Sequence, residues 1–246
     1  MNLFLKIPAP AFEIISERGA KRMGSEPFVI ECHELSGFDT GSLEDVRRAF
    51  ERATPCFLRQ AWLEREEADF ASAVVRTGWR NASLLVFAEL TDFDIFNKAT
   101  QFKQRLWELG DAFEIFLQPV DQGAYIELQV SPENQQLLLR YPHVGALGNA
   151  PDNASIESVV VHDKVFNSST WVRSQEQRWF VFAEISAVLM HRKAGSLSGE
   201  QWRFSFSRYD YTRGRKEPVI SSTSPHAQPN FHRQQEWGTI SFSTGG

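Results

Sequence analysis

Two segments place carboxylates where they could act on one ligand. In DAFEIFLQ, from Asp111 to Gln118, and in AYIELQVS, from Ala124 to Ser131, apolar and polar residues alternate. Successive side chains of a strand point to opposite faces. Phe113, Ile115 and Leu117 therefore share one face, and Ala112, Glu114, Phe116 and Gln118 the other. Ile126, Leu128 and Val130 match the first set, while Tyr125, Glu127, Gln129 and Ser131 match the second. Joined as a hairpin through VDQG, these strands gather carboxylates, amides and rings on one surface. Such a surface suits a neutral polyhydroxylated molecule, whose hydroxyls take bidentate hydrogen bonds and whose C–H face stacks on a ring. Two carboxyl groups about 5 to 9.5 Å apart also serve glycoside hydrolysis, so Glu114 and Glu127 form a possible catalytic pair. An outward polar face is, besides, the ordinary solvated side of an antiparallel sheet.

Trp107 precedes the first of these strands in LWELGDAFEIFLQP. Its ring is either part of the core, a lid, or a stacking platform, because aromatic side chains serve all three uses. A second candidate region, ISSTSPHAQPNFHRQQEWGTISF, is a long polar loop broken by Pro225 and Pro229 that carries Phe231 and His232. Loops held by rigid strands commonly carry binding residues; the competing expectation is that Phe231 tucks under its own loop.

Other chemistries find less support. His226 and His232 have no cysteine or carboxylate at metal-ligand spacing and read as hydrogen-bonding surface residues. A haem site needs axial His or Met ligands, but Met190 and His191 point apart in a strand. Met23, His33, His143 and His162 are not suggestively placed. Arg208, in SRYDY, reads as an inward side chain that needs a carboxylate partner. Cys32 and Cys56 allow at most a single disulfide, and in a strand Cys32 and His33 face opposite ways.

The elements that must position these residues are strands. The chain has 246 residues, 42% of them hydrophobic, with 20 Phe and 7 Trp. This composition fits β structure and one domain over 1–246, since sandwiches of this length stay single. Net charge is −5 and the basic residues are scattered, which argues against a nucleic-acid partner. No apolar run approaches the roughly 20 residues of a membrane span, so no membrane partner is expected. Residues 1–27 read as irregular and as a poor export signal, because Lys6, Pro8 and Pro10 interrupt the apolar patch.

Further along, PFVIECHEL reads as a strand and SLEDVRRAFERAT as a short helix capped by Ser42. ASAVVRTGW and SLLVFAEL form a hairpin turning at Asn81, and DIFNKATQFKQRLW is a helix or long loop. QQLLLRY, RWFVFAEI, QWRFSFSRYDY and TISFS complete the strands, and NAPDNAS is a loop. Helices too few for crossovers make the predicted class all-β, an antiparallel β-sandwich of jelly-roll or immunoglobulin-like kind with one or two short helices.

LWELGDAFEIFLQP, AYIELQVSPE, WRFSFSRYDY and FHRQQEWGTISF, in that order, resemble the family 9 carbohydrate-binding modules and their DOMON-like relatives. The similarity covers roughly residues 70–242. It implies a non-catalytic sandwich in which two rings clamp a terminal sugar on an open sheet face while polar side chains bond its hydroxyls. Carried across, the first ring is Trp107, the carboxylate Glu114, the opposing ring Phe231 with His232 beside it, and the polar pair Gln129 and Ser131. Phe231 and Ser131 are smaller than their counterparts in the better-known members. A sandwich that has lost sugar binding and serves as an interaction module is therefore an alternative. The resemblance also suits a periplasmic or secreted protein, and structural calcium, for which Asp92, Asp94, Asp111, Asp121 and Asp210 are available oxygen donors. No other cofactor is expected.

Overall fold

The computed structural model describes residues 28–146, 153–162, 166–192 and 195–244. The expected irregular segment 1–27, Met23 and the first part of NAPDNAS lie outside the described residues. Among the described residues, twelve strands make two sheets. The larger runs in the order β1 (Val29–His33), β12 (Gly238–Ser243), β10 (Gln201–Asp210), β5 (Ala112–Pro119), β6 (Tyr125–Val130) and β7 (Gln136–Tyr141). β12 covers one part of β10, from Gln201 to Phe204, and β11 (Val219–Ser222) covers another, from Ser207 to Asp210. The smaller sheet runs β2 (Cys56–Phe57), β3 (Ala73–Arg80), β4 (Ser83–Thr91), β9 (Arg178–Ser186) and β8 (Asn167–Arg173).

The predicted inward residues do face inward. Phe113, Ile115, Leu117, Ile126, Leu128 and Val130 pack in one cluster with Val75, Val86 and Val181 of the opposite sheet. The predicted hairpins also form: Asn81 and Ala82, both at positive φ (48° and 57°), turn β3 into β4, as primed hairpin turns require. Helix α1 (Leu43–Ala49) starts at Ser42, whose hydroxyl accepts from the Asp45 amide at 3.3 Å. Its Leu43 and Val46 pack on Leu85, Phe87, Phe180 and Phe182 of the smaller sheet's outer face. The stretch before β5 is a loop ending in a 3-10 turn, Leu106–Glu108.

Four features differ from the sequence expectation. β1 and β12 pair in parallel, whereas the other pairs are antiparallel. β2, β8 and β11 are strands that the alternation did not predict; β11 occupies the start of the segment read as one long polar loop. A short helix, α2 (Asn153–Glu157), occupies the end of NAPDNAS. Met190 and His191 close a 3-10 turn rather than lying in a strand, with Met190 buried and His191 exposed. Cys32 and Cys56 are free and buried, and burial pushes both thiols up to about 12.

Candidate functional site

β5 and β6 were expected to show an open outer face, and here the structure corrects the reading. Every residue of both strands is buried. The cover is a second apolar layer in which Phe116, Tyr125, Leu137, Leu139 and Tyr141 of the sheet meet Phe231 and Trp237 from the segment that follows β11. Trp237 Nε1 donates to the Phe231 carbonyl at 2.8 Å, fixing that segment's return. Two glycines make the geometry possible. Gly110 has φ +147°, and a Cβ there would run into the Phe96 carbonyl oxygen. A Cβ on Gly238 would meet the Phe204 ring at 2.7 Å. The Gly-Asp of the sequence motif is thus structural: Asp111 accepts from the amides of Phe96 (2.6 Å) and Tyr211 (2.8 Å), joining the loop before β5 to the end of β10.

The cover borders an opening. A pocket of about 340 Å³ is lined by Trp107, Glu114, Glu127, Tyr141, Ile156, Tyr209, Pro229, Asn230, Phe231 and His232. Trp107 is half-buried at its mouth, with its carbonyl accepting from the Tyr211 hydroxyl at 2.6 Å. The phenyl ring of Phe231, 5% exposed, touches Trp62, Phe116 and Tyr209. It tucks under its loop and also forms part of the pocket wall.

The floor is acidic. Gln129 lies behind it, fully buried, and its Nε2 donates to Glu114 Oε1 at 2.8 Å and to Glu127 Oε1 at 2.5 Å. The Tyr141 hydroxyl donates to Glu127 Oε2 at 2.9 Å. His232 Nε2 stands 3.7 Å from the same oxygen, and His232 Nδ1 stands 3.0 Å from the Tyr125 hydroxyl. Burial first, and the Glu127 charge second, hold the Glu114 carboxyl well above its ordinary range. Burial and the Glu127 charge likewise raise the Tyr141 hydroxyl.

Four of the six expected residues therefore meet at the pocket: Trp107, Glu114, Phe231 and His232. Two do not line it. Gln129 orients the carboxylates from below. Ser131 is fully buried in the turn after β6, where its hydroxyl donates to Glu133 at 3.1 Å and accepts from the Gln135 amide at 3.2 Å. Tyr141 and Tyr209 were missed, although extending the alternation would have found both. Tyr141 is the register partner of Tyr125, and Tyr209 shares a face with Ser207, the partner of Glu114. Ile156 had no sequence signal. His226, expected at the surface, is fully buried. Its Nδ1 lies 3.1 Å from Glu236 Oε2, and burial lowers its pKa.

The oxygen donors named for calcium do not fit that ion. Asp92, Asp111 and Asp210 cluster, but the fully buried Arg208 is already among them. Its Nη2 lies 2.9 Å from Asp92 and 3.1 Å from Asp210, and its Nη1 donates to the Thr91 carbonyl at 2.6 Å. This is the inward arginine with carboxylate partners that the sequence predicted, and its fixed charge would repel a metal ion. Asp94 pairs with Arg213 and Asp121 with Arg192.

Comparison with known proteins finds the same fold in solved structures. A protein from Bacteroides uniformis proposed to bind carbohydrate superposes with a TM-score of 0.71 at 15% identity, over 89% of this chain and 100% of that one. The fold is, more particularly, family 9 carbohydrate-binding module-like. Two structures of such a module from Caldicellulosiruptor kristjanssonii, with cellotriose and with glucose, give TM-scores of 0.59 and 0.58. Their identities are 16% and 15%, over 89% of this chain and 95% and 97% of theirs. No protein-family model and no curated protein sequence matches the chain.

Proposed function

We propose that this chain is a non-catalytic carbohydrate-binding domain that holds a sugar in the pocket between Trp107 and Phe231. The observation that carries the reading is that Phe231, more than a hundred residues away in the chain, meets Trp107, Glu114 and Glu127 at one pocket of about 340 Å³. The fold it sits on is shared with modules whose structures contain glucose and cellotriose. The Trp107 ring offers an apolar face at the mouth, and Glu114 and Glu127 offer acceptors to hydroxyls. Burying on the order of 100 Å² of sugar C–H and ring surface contributes roughly 2 to 3 kcal/mol. A second ring and charge-assisted hydrogen bonds to Glu114, each about 1.5 to 3 kcal/mol, add to this while ordering costs oppose it, so micromolar affinity is the expected scale. A calcium ion has no part in this binding.

Trp107→Ala tests the reading. Glycan retention on an array, or a fluorescence titration with mono- and disaccharides, is expected to fail in the variant while its thermal melt stays cooperative. Unchanged retention, or global unfolding on that one change, would remove Trp107 from the site. A wild-type protein that retains no glycan would leave the sandwich as an interaction module.

One observation favours a second reading. Glu114 and Glu127 both accept from Gln129 Nε2, at 2.8 and 2.5 Å, so these oxygens lie within reach of the roughly 5 Å carboxyl separation of retaining glycosidases. Turnover of chromogenic glycosides that disappears in Glu127→Gln would establish the enzyme; a binding domain has no turnover to lose.

A further inference from the structure

The pocket floor has more negative charge than a neutral sugar needs. One ionised carboxylate accepts two hydroxyl hydrogen bonds, yet two glutamates, each 3% exposed, share this floor. Among the described residues, no lysine or arginine lines the pocket. The one potential cation is His232, exposed at the rim and 3.7 Å from Glu127. Like charges held close in a desolvated site disfavour each other's ionised form.

The fold answers this with a neutral group only. The Gln129 amide nitrogen bridges both carboxylates, and its own Oε1 is left buried without a partner. An unmatched buried acceptor is itself destabilising, so the bridge relieves the repulsion without neutralising it. Trp107, Tyr141, Tyr209 and Phe231 line the same pocket. Aromatic faces attract cations and add nothing comparable for a neutral hydroxyl. Paired carboxylates below and rings around, with no fixed positive charge, make a receptor for an ammonium group.

We infer that the pocket prefers a saccharide bearing a protonated amine, an unacetylated hexosamine unit whose ammonium sits against Glu114 and Glu127 while its ring stacks on Trp107. This rests on the saccharide reading above and goes beyond it by naming the ligand class. Burial and the neighbouring Glu127 charge hold the Glu114 carboxyl above its ordinary range, and an ammonium seated against both carboxylates would offset that repulsion.

The test is a set of titrations of the full chain, followed by tryptophan fluorescence and calorimetry, with glucosamine, N-acetylglucosamine, glucose and ethanolamine as probes. Glucosamine is expected to bind at least tenfold more tightly than glucose or N-acetylglucosamine. Raising the salt concentration is expected to weaken glucosamine binding and to leave glucose binding nearly unchanged. In Glu127→Gln the ratio of glucosamine to glucose affinity is expected to fall toward one. Glucose or N-acetylglucosamine binding as tightly as glucosamine would overturn this inference and leave the saccharide reading standing. Ethanolamine binding as tightly as glucosamine would overturn both, since the pocket would then read the amine without the ring. An absence of binding by all three sugars would likewise overturn both.

Discussion

Two buried acidic clusters lie on the two faces of β5 and β10, and they are solved differently. On the core side, at the end of the sandwich, Asp92, Asp111 and Asp210 surround Arg208, which is fully buried with its guanidinium against two of them. On the outer side, Glu114 and Glu127 share the neutral Gln129 amide and border a pocket. The first cluster contains its own cation. The second lacks a cation and faces a space where one could enter. A buried charge with an internal partner is a structural device, whereas a buried charge left without one, beside a cavity, points to a ligand.

The strongest way to break this contrast is to remove the internal cation. Arg208→Met leaves Asp92 and Asp210 buried without compensation, and about 3 to 5 kcal/mol of stability is expected to be lost, read from urea unfolding. A loss below about 1 kcal/mol would mean that water reaches the cluster and that the two sites are not different in kind.

The next test uses pH. Burial, and then the Asp92 charge, raise the Asp111 carboxyl from 3.8 to about 8, and burial raises Asp210 from 3.8 to about 7. Between these limits the folded state holds more protons than the unfolded chain. The stability these two groups contribute is therefore complete below pH about 4 and is lost as pH rises through about 7 and 8. Asp111→Asn is expected to flatten that decline, by up to about 1.4 kcal/mol per pH unit for one titrating group. Denaturation midpoints between pH 4 and 8 measure it. An unchanged slope would show that Asp111 does not titrate there.

The outer cluster has a matching test. Glu127→Gln removes the like charge beside Glu114, so the Glu114 carboxyl is expected to titrate at lower pH, as followed by carbon-detected NMR. Because burial is the larger cause of its elevation, it is expected to stay above the ordinary range. A smaller effect is expected outside the pocket, between the loop before β5 and α2, where Arg105 Nη1 donates to Asn153 at 2.8 Å and reaches Glu108 at 3.3 Å. Arg105→Ala is expected to change stability by less than about 0.5 kcal/mol, and a larger loss would make this surface contact part of the fold's support.

The strands that carry the outer cluster were legible because their alternation is strict. Glu114 and Glu127 could be assigned to one face from local sequence, and Arg208 to the opposite side from its neighbours. Strands without that signal were not seen: NSSTWVR pairs only along β9, and VISS is short and merges with polar residues. Ser131 was misread because position on a face does not say whether a turn consumes the hydroxyl. His226 was misread because polar composition resembles exposure until the segment is seen folded inward.

The sequence by itself determined which side chains share a face, since the two-residue period of a strand is a property of the local backbone. It also determined that an inward arginine must find carboxylates. Only the tertiary structure decided that the outer face of β5 and β6 is roofed by the segment after β11, that Gln129 serves as a bridge and not a lining residue, and that α2 supplies a wall. The roof depends on contacts between residues more than a hundred positions apart, such as Phe116 with Phe231 and Trp237. No local period encodes such contacts; they are fixed by which apolar surfaces remain uncovered after the sheets have formed.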